Sequence, residues 1–449
     1  MAGDKRALSG REAAFEALCR MERDKAYSNL TLDSVLQRVP DPRERQFASA
    51  LFYGVLERRV TLDRILDAYV KKGAASLDPE VLTALQLGLC QLLYLDSVPD
   101  RAAVDESVEL IKGTRRKNAA GLVNGVLRSF LRDGKKLPAA SSDDPLEKAS
   151  LETAMPRWIL SLWAEQYGME TALQLARDCL GRPPLQLRVN TVLCTAEEAA
   201  RQLRASGASV APHPLLPDCL TVSGLGAVGE HPLIRQGLCY VQDASSQLCA
   251  RAVEPRPGQR VFDLCAAPGS KSFTMAQLME NRGELLAFDL HDSRVRLIRS
   301  GADRLGLSVI RAAKGDASRF SPQLGLADRV LCDVPCAGLG VIRRKPEIRL
   351  KTPEEIRGLP GIQKKILLNG ANYVKPGGLL VYSTCSLNKE ENDRVADAFL
   401  AARPDFAPDP LPPLFDGLTD GGYKATLMPH KGDFDGFFVA RFRRIASGS

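Results

Sequence analysis

None of the eleven cysteines forms a Cys-x-x-Cys pair and the chain has only four histidines, so the usual ligand sets of a zinc site are missing. The cysteines are scattered rather than spaced as a disulfide framework, which points to reduced thiols. Long apolar runs are also lacking. No stretch is apolar enough to span a bilayer, and Met1-Ala2-Gly3-Asp4-Lys5-Arg6 has no signal-peptide core. These absences predict a cytoplasmic protein that holds no metal. Neither sign of charge dominates: 61 Lys+Arg against 54 Asp+Glu leave a net +7, a mild basic excess that suits a polyanionic partner and is shared by many enzymes without one.

What is present is enough hydrophobic chain for several cores, 45% of 449 residues. From about Arg11 to Arg132 apolar residues recur at spacings of three and four, as in Phe47, Leu51, Phe52, Val55 and Leu56, which predicts an all-α bundle over 1–137. The run Pro138 to Pro145 has linker composition, and a mobile linker is expected over 138–155. Residues 156–236 read as a small α/β subdomain, with strand patterns at 185–192, 209–212 and 220–223. Beyond Gly237 strands and helices alternate, the signature of a mostly parallel, doubly wound sheet over 237–449. Its strands are expected at 260–264, 284–289, 308–313, 329–333 and 378–384, with 435–442 joining antiparallel at the edge.

The first of these strands leads into Asp263-Leu264-Cys265-Ala266-Ala267-Pro268-Gly269-Ser270-Lys271, where small residues let a ligand approach the backbone. It is not a Walker A loop, because Cys265 and Ser270 stand where that pattern requires glycines. Asp289, Asp316 and Asp333 follow the next strands, and acids along one sheet edge suit a nucleoside carrying a cationic sulfonium better than a pyrophosphate. Two cysteines complete the pattern, in Asp333-Val334-Pro335-Cys336 and Ser383-Thr384-Cys385-Ser386, each after a strand. A thiolate adds readily to an electron-poor carbon such as an activated pyrimidine carbon 6, which predicts a covalent pyrimidine methyltransferase acting on RNA. For Cys265 and Cys332 the reading is a small buried hydrophobe.

These blocks, with Ala337-Gly338-Leu339-Gly340, Arg343-Arg344 and Glu390-Glu391-Asn392, resemble those of the Nol/Nop/Sun RNA cytosine-5 methyltransferases. Leu51-Phe52-Tyr53-Gly54-Val55 and Val123-Asn124-Gly125-Val126-Leu127-Arg128 resemble the NusB-like RNA-binding domain, a fusion typical of the bacterial Sun-type enzyme. The resemblance implies an N-terminal NusB-like bundle and a Rossmann-like class I methyltransferase domain. It implies S-adenosylmethionine held by Cys265, Ala266, Ala267, Pro268, Gly269, Ser270, Lys271, Asp289, Asp316 and Asp333. By the same likeness Cys385 is the nucleophile, Cys336 releases the adduct, and Lys271 and Asp333 lie near the cytosine. Arg188 and Asn190 match a family block and are expected to face RNA, Gln242 to Gln247 to wall the cofactor site, and the basic pair Arg343 and Arg344 to contact RNA beside the Pro-Cys loop. The implied partner is 16S rRNA before or during small-subunit assembly, met by a monomer. A tRNA substrate and a catalytically silent RNA-binding assembly factor are the competing expectations. Departures from the family pattern, among them Ser270, Ala337 and Leu339, change loop walls and leave the reacting groups in place.

Overall fold

The computed structural model describes residues 6–24, 28–140, 143–181, 183–226, 228–419 and 422–446. The chain forms two units. One holds residues up to Leu180 together with Lys345–Lys351, and the other holds Gly181–Arg344 and Thr352–Ser449.

The first unit is helical: α1 (Gly10–Asp24), α2 (Ser28–Leu36), α3 (Pro42–Tyr69), α4 (Pro79–Tyr94), α5 (Asp100–Lys112), α6 (Ala120–Arg132), α7 (Pro145–Thr153), α8 (Arg157–Tyr167) and α9 (Met169–Asp178). The starts follow from sequence. Asp41, Asp78 and Asp144 each accept a hydrogen bond from the amide two residues on, with proline in the first helical position, so α3, α4 and α7 begin on capped ends. The apolar positions of the periodic pattern, Leu51, Phe52, Val55, Leu56, Leu85, Leu89, Leu127 and Phe130, form its core. Helix α7 occupies half of the segment expected as a mobile linker. Its Leu146 and Ala149 are buried, and Thr61 Oγ1 of α3 donates to Leu151 O at 2.9 Å. The far segment enters this unit as a 3-10 turn, Pro346–Leu350, with Leu350 packed on the core and the buried Arg349 donating to Cys179 O at 2.9 Å.

The second unit carries two sheets. The smaller is antiparallel, in the order β2 (Ser209–His213), β3 (Leu216–Ser223), β1 (Leu185–Val189), β4 (Cys239–Val241). Its apolar face, Leu187, Val189, Leu220 and Val222, is covered by α10 (Ala196–Ala205), which starts on a Thr195–Glu198 capping box, and by Leu233 of α11 (Pro232–Arg235).

The larger sheet has the order β10 (Phe406–Pro408), β12 (Phe437–Arg444), β9 (Val374–Thr384), β8 (Ala327–Asp333), β5 (Arg260–Asp263), β6 (Glu284–Asp289), β7 (Ile310–Lys314), with β11 (Lys424–Leu427) also on β12. Strands β9 to β7 in this order run parallel, and α12 (Ala244–Ala252), α13 (Ser270–Leu278), α14 (Asp292–Arg304), α15 (Pro353–Ile356), α16 (Leu359–Ala371) and α17 (Asp393–Ala402) complete the unit. The parallel strands therefore deliver their carboxyl ends, where Asp263, Asp289, Asp333 and Thr384 stand, to one edge. Strand β12 is antiparallel to β9 as expected, but it is not the edge. β11 and β10 pair with successive halves of its outer side, which satisfies donors and acceptors that an edge would expose.

Candidate active site

Strands β8 and β9 are in register with Asp333 opposite Ser383, so the chain reaches Cys336 three residues past this rung and Cys385 two residues past it. Their sulfurs lie 3.1 Å apart, and both residues are half-buried. Further bonds tie the loops together. Val334 N donates to Ser383 O at 3.1 Å, and Gly340 N donates to Cys385 O at 3.0 Å. Gly340 is glycine for lack of room: a Cβ there would lie 1.9 Å from Gly436 O.

A charged pair flanks the thiols. Lys271 Nζ, on the first turn of α13 and only 8% exposed, bonds Asp333 Oδ2 at 2.7 Å, while Ser383 Oγ donates to Asp333 Oδ1 at 2.7 Å. Burial alone would lower the Lys271 pKa, but the Asp333 carboxylate and the Cys249 and Cys385 sulfurs raise it, so the ammonium keeps its charge. The hydrogen bond to Cys385 pushes the Cys336 thiol well up, reinforced by burial and by the charges of Glu391 and Asp333. The Cys385 sulfur is also within electrostatic reach of the Lys271 ammonium.

The loop Cys265 to Lys271 lies at the carboxyl end of β5. Ala266 N donates to Phe288 O at 2.7 Å, and Gly269, at φ +112°, caps α13 where a Cβ would meet the Phe273 ring at 2.4 Å. Asp289 is 6% exposed and accepts from His291 N at 3.0 Å; Asp316 accepts from Ser318 N and Oγ, which hold it below the usual carboxylate range. Asp263 is fully buried, and its Oδ2 accepts from Ser272 Oγ at 2.7 Å, while Oδ1 meets no hydrogen-bond donor within range among the described residues. Burial pushes its pKa up to about 7. Small residues, strand-end acids and an orphaned buried oxygen fit a cradle for a nucleoside cofactor. Gln242 borders this cradle, its Nε2 donating to Ser270 O at 3.0 Å.

Four residues expected to face RNA are occupied otherwise. Arg188 is 0% exposed, with Nε donating to Gln277 Oε1 at 3.1 Å and Nη2 lying 3.3 Å from Asp218. Asn190 is equally buried, its Nδ2 donating to Gly237 O and Leu305 O, both at 2.9 Å. Arg343 Nε bonds Asp435 Oδ1 at 2.6 Å, and Arg344 bonds Asp435 and, at 2.8 Å, Asp243 Oδ2. These arginines pin the segment after the Pro-Cys loop to Asp435. Burial and Asp243 push Asp435 up to about 6 against the pull of Arg344 and Arg343. A basic dipeptide beside a loop reads the same in sequence whether its carboxylate partner is nearby or absent; here the partner lies more than ninety residues on. Asp243 lies in the run expected to wall the cofactor site, whereas Ser383, Glu391 and Asp435 lie in runs that carry the motifs without any sign in the sequence of the partners they take here.

Three family models match this chain: 16S rRNA methyltransferase RsmB/F over residues 250–443, the NusB family over 9–132, and an RsmF/B-like ferredoxin-like domain over 155–229. The probable ribosomal RNA small subunit methyltransferase B of Bacillus subtilis is 39% identical over 446 residues, covering 97% of this chain and 99% of its own. The protein of that name in Synechocystis is 34% identical, covering 97% and 100%. The crystal structure of PH0851 superposes with a TM-score of 0.85 at 25% identity, covering 97% of this chain and 98% of that one. That of NSun6 from Pyrococcus horikoshii with SFG shares the fold at a TM-score of 0.59 and 21% identity, covering 66% of this chain and all of its own. With these likenesses running the length of the chain, and with paired thiols where such a fold puts its chemistry, the protein belongs to the RsmB/F family of 16S rRNA methyltransferases.

Proposed function

We propose that the protein methylates carbon 5 of a cytosine in 16S ribosomal RNA, before or during small-subunit assembly, through a covalent bond between Cys385 and carbon 6. The observation that carries this reading is the thiol pair, 3.1 Å apart beside the Lys271–Asp333 ion pair. S-adenosylmethionine, held by the loop Cys265 to Lys271 with Asp289, Asp316 and Asp333, supplies an electrophilic methyl group when bound.

Carbon 5 of cytosine is a poor nucleophile. Addition of the Cys385 thiolate to carbon 6 places the former double-bond electrons on carbon 5 and the ring, which makes carbon 5 reactive. The Lys271 ammonium favours the thiolate form of Cys385. Release then requires loss of the carbon 5 proton. Its electron pair restores the double bond, and the carbon–sulfur bond breaks with its electrons on Cys385. Cys336 hands its proton to that sulfur and takes up the proton from carbon 5, so the pair ends with one proton more, which passes to solvent on reset. The base must leave its stack to reach both the thiol and the methyl donor.

Cys385→Ser should abolish methyl transfer and leave S-adenosylmethionine affinity within about twofold, whereas Cys336→Ala should accumulate RNA–protein adduct on denaturing gels. Bisulfite sequencing of 16S rRNA from cells with and without the protein locates the product. An unchanged bisulfite pattern, or adduct formation that survives Cys385→Ser, would overturn the proposal. The intact thiols favour an enzyme over a silent assembly factor.

A further inference from the structure

Glu391 is fully buried, and among the described residues neither carboxylate oxygen meets a cation. Burying an anion without a counter-charge is costly unless its lone pairs are met by donors, so its partners are informative. Oε2 accepts from the backbone N–H of Ala337, the residue after Cys336, at 2.8 Å, and from Gln363 Nε2 of α16 at 2.9 Å. The same Gln363 amide donates to Pro335 O, on the other side of Cys336, at 3.0 Å. Oε1 accepts from Ser386 Oγ, the residue after Cys385, at 2.7 Å and from Asn388 Nδ2 at 3.2 Å. One rigid carboxylate therefore holds the Pro-Cys loop with one oxygen and the Thr-Cys loop with the other. The neighbouring Asn392 adds to the second side, accepting from Thr384 Oγ1 at 2.6 Å and donating to Ser386 O at 2.8 Å.

We propose that Glu391 is a positioning residue for the reaction: it clamps the two cysteine loops to each other and so sets the sulfur–sulfur separation on which adduct release depends. This role rests on the covalent cytosine-5 reading. Glu391 touches neither sulfur in any of these bonds; its charge reaches the Cys336 thiol, and its hydrogen bonds act through Ala337 and Ser386. When the bond from carbon 6 to Cys385 breaks, the electron pair goes to the Cys385 sulfur, the Cys336 proton moves to that sulfur, and the carbon 5 proton moves to Cys336. Both transfers need the thiols held close, and small misplacements of reacting groups are expensive in rate. Attack by Cys385 on carbon 6 needs only one thiol and suffers less.

The test is Glu391→Gln, which keeps the shape but turns one acceptor into an N–H donor. Ala337 N–H can only donate, and Gln363 Nε2 is held there by its second bond to Pro335 O, so the remaining oxygen stays with them; the new N–H donors face Ser386 Oγ, which must turn to accept, and the Asn388 Nδ2 donor, and the Cys385 side loosens. The expected result is a fall in kcat of about 10–100-fold, with KM for S-adenosylmethionine and melting temperature close to wild type and a larger steady-state fraction of RNA in covalent adduct. Ser386→Ala removes only the hydroxyl bond on that side and should show the same split, weaker; it carries the test if Glu391→Gln does not fold. An unchanged kcat, a loss accompanied by weaker cofactor affinity, or an adduct fraction that falls overturns the role of Glu391 while wild-type and Cys336→Ala adducts still form. Absence of adduct from the wild-type and Cys336→Ala proteins alike overturns the reading of the reaction, and the clamp with it.

Discussion

At the scale of single residues, the strand-end acids do different work although they look alike in sequence. Asp333 is matched by Lys271 and Ser383, Asp316 by the amide and hydroxyl of Ser318, and Asp263 by the Ser272 hydroxyl with a lesser contribution from the Cys265 backbone. The last arrangement has a pH signature. Burial raises the Asp263 pKa to about 7 from an ordinary value near 4, so between these limits the folded state holds a proton that the unfolded chain has released. Its contribution to stability is complete below about pH 4 and is lost as pH rises through about 7, at up to about 1.4 kcal/mol per pH unit. Asp263→Asn should flatten the slope of unfolding free energy over that interval relative to the parent; urea titrations at a series of pH values measure it, and an unaltered slope would contradict the assignment. Gly340 makes a steric prediction. A methyl group 1.9 Å from Gly436 O has no flexible side chain to displace, so Gly340→Ala should lower the melting temperature and cut methyl transfer at least about tenfold, because the loop it distorts carries Cys336.

At the scale of elements, capping chemistry decided one outcome that composition had obscured. Pro138 to Pro145 is rich in proline, serine and aspartate, and that richness reads as linker; yet Asp144-Pro145 is a helix start, and the following Leu146, Ala149 and Ser150 bury one face of α7. Asp144→Ala removes the bond from Leu146 N and should cost about 1 kcal/mol of stability, visible as a lower denaturation midpoint. The central strands were legible from their apolar runs, with starts or ends displaced by a few residues, as in β7, which begins at Ile310 rather than Ser308. Strand β12 shows the limit of such reading. Its hydrophobic run announces a strand, but whether it forms an edge depends on β10 and β11, short segments with little pattern of their own.

At the scale of the whole molecule, the division into units does not follow the order of the chain. Residues 345–351 leave the catalytic unit immediately after Arg344 and pack in the helical one, where Pro346, Ile348 and Arg349 are buried. A fragment ending at residue 180 would lack this segment and leave Cys179 O without its Arg349 donor. It should therefore unfold at a lower denaturant concentration than the same helices in the intact protein, followed by circular dichroism; equal midpoints would mean that the inserted turn adds nothing. Among the described residues no helix is long and apolar enough to cross a membrane.

The sequence by itself determined the helical bundle, the alternating strands, the small-residue loop at Cys265 to Lys271 and the placement of two thiols after two strands, because periodicity, turn chemistry and reactive side chains are local properties. Only the tertiary structure decided which charges face solvent and which are spent inside. Arg188, Asn190, Arg343 and Arg344 are polar in any listing of the chain, but their partners come from distant segments: Asp218, Gln277, Leu305 and Asp435. The same holds for the thiol pair. Forty-nine residues apart along the chain, Cys336 and Cys385 meet because parallel pairing puts Asp333 opposite Ser383, a pairing of strands distant in sequence that only the assembled sheet fixes.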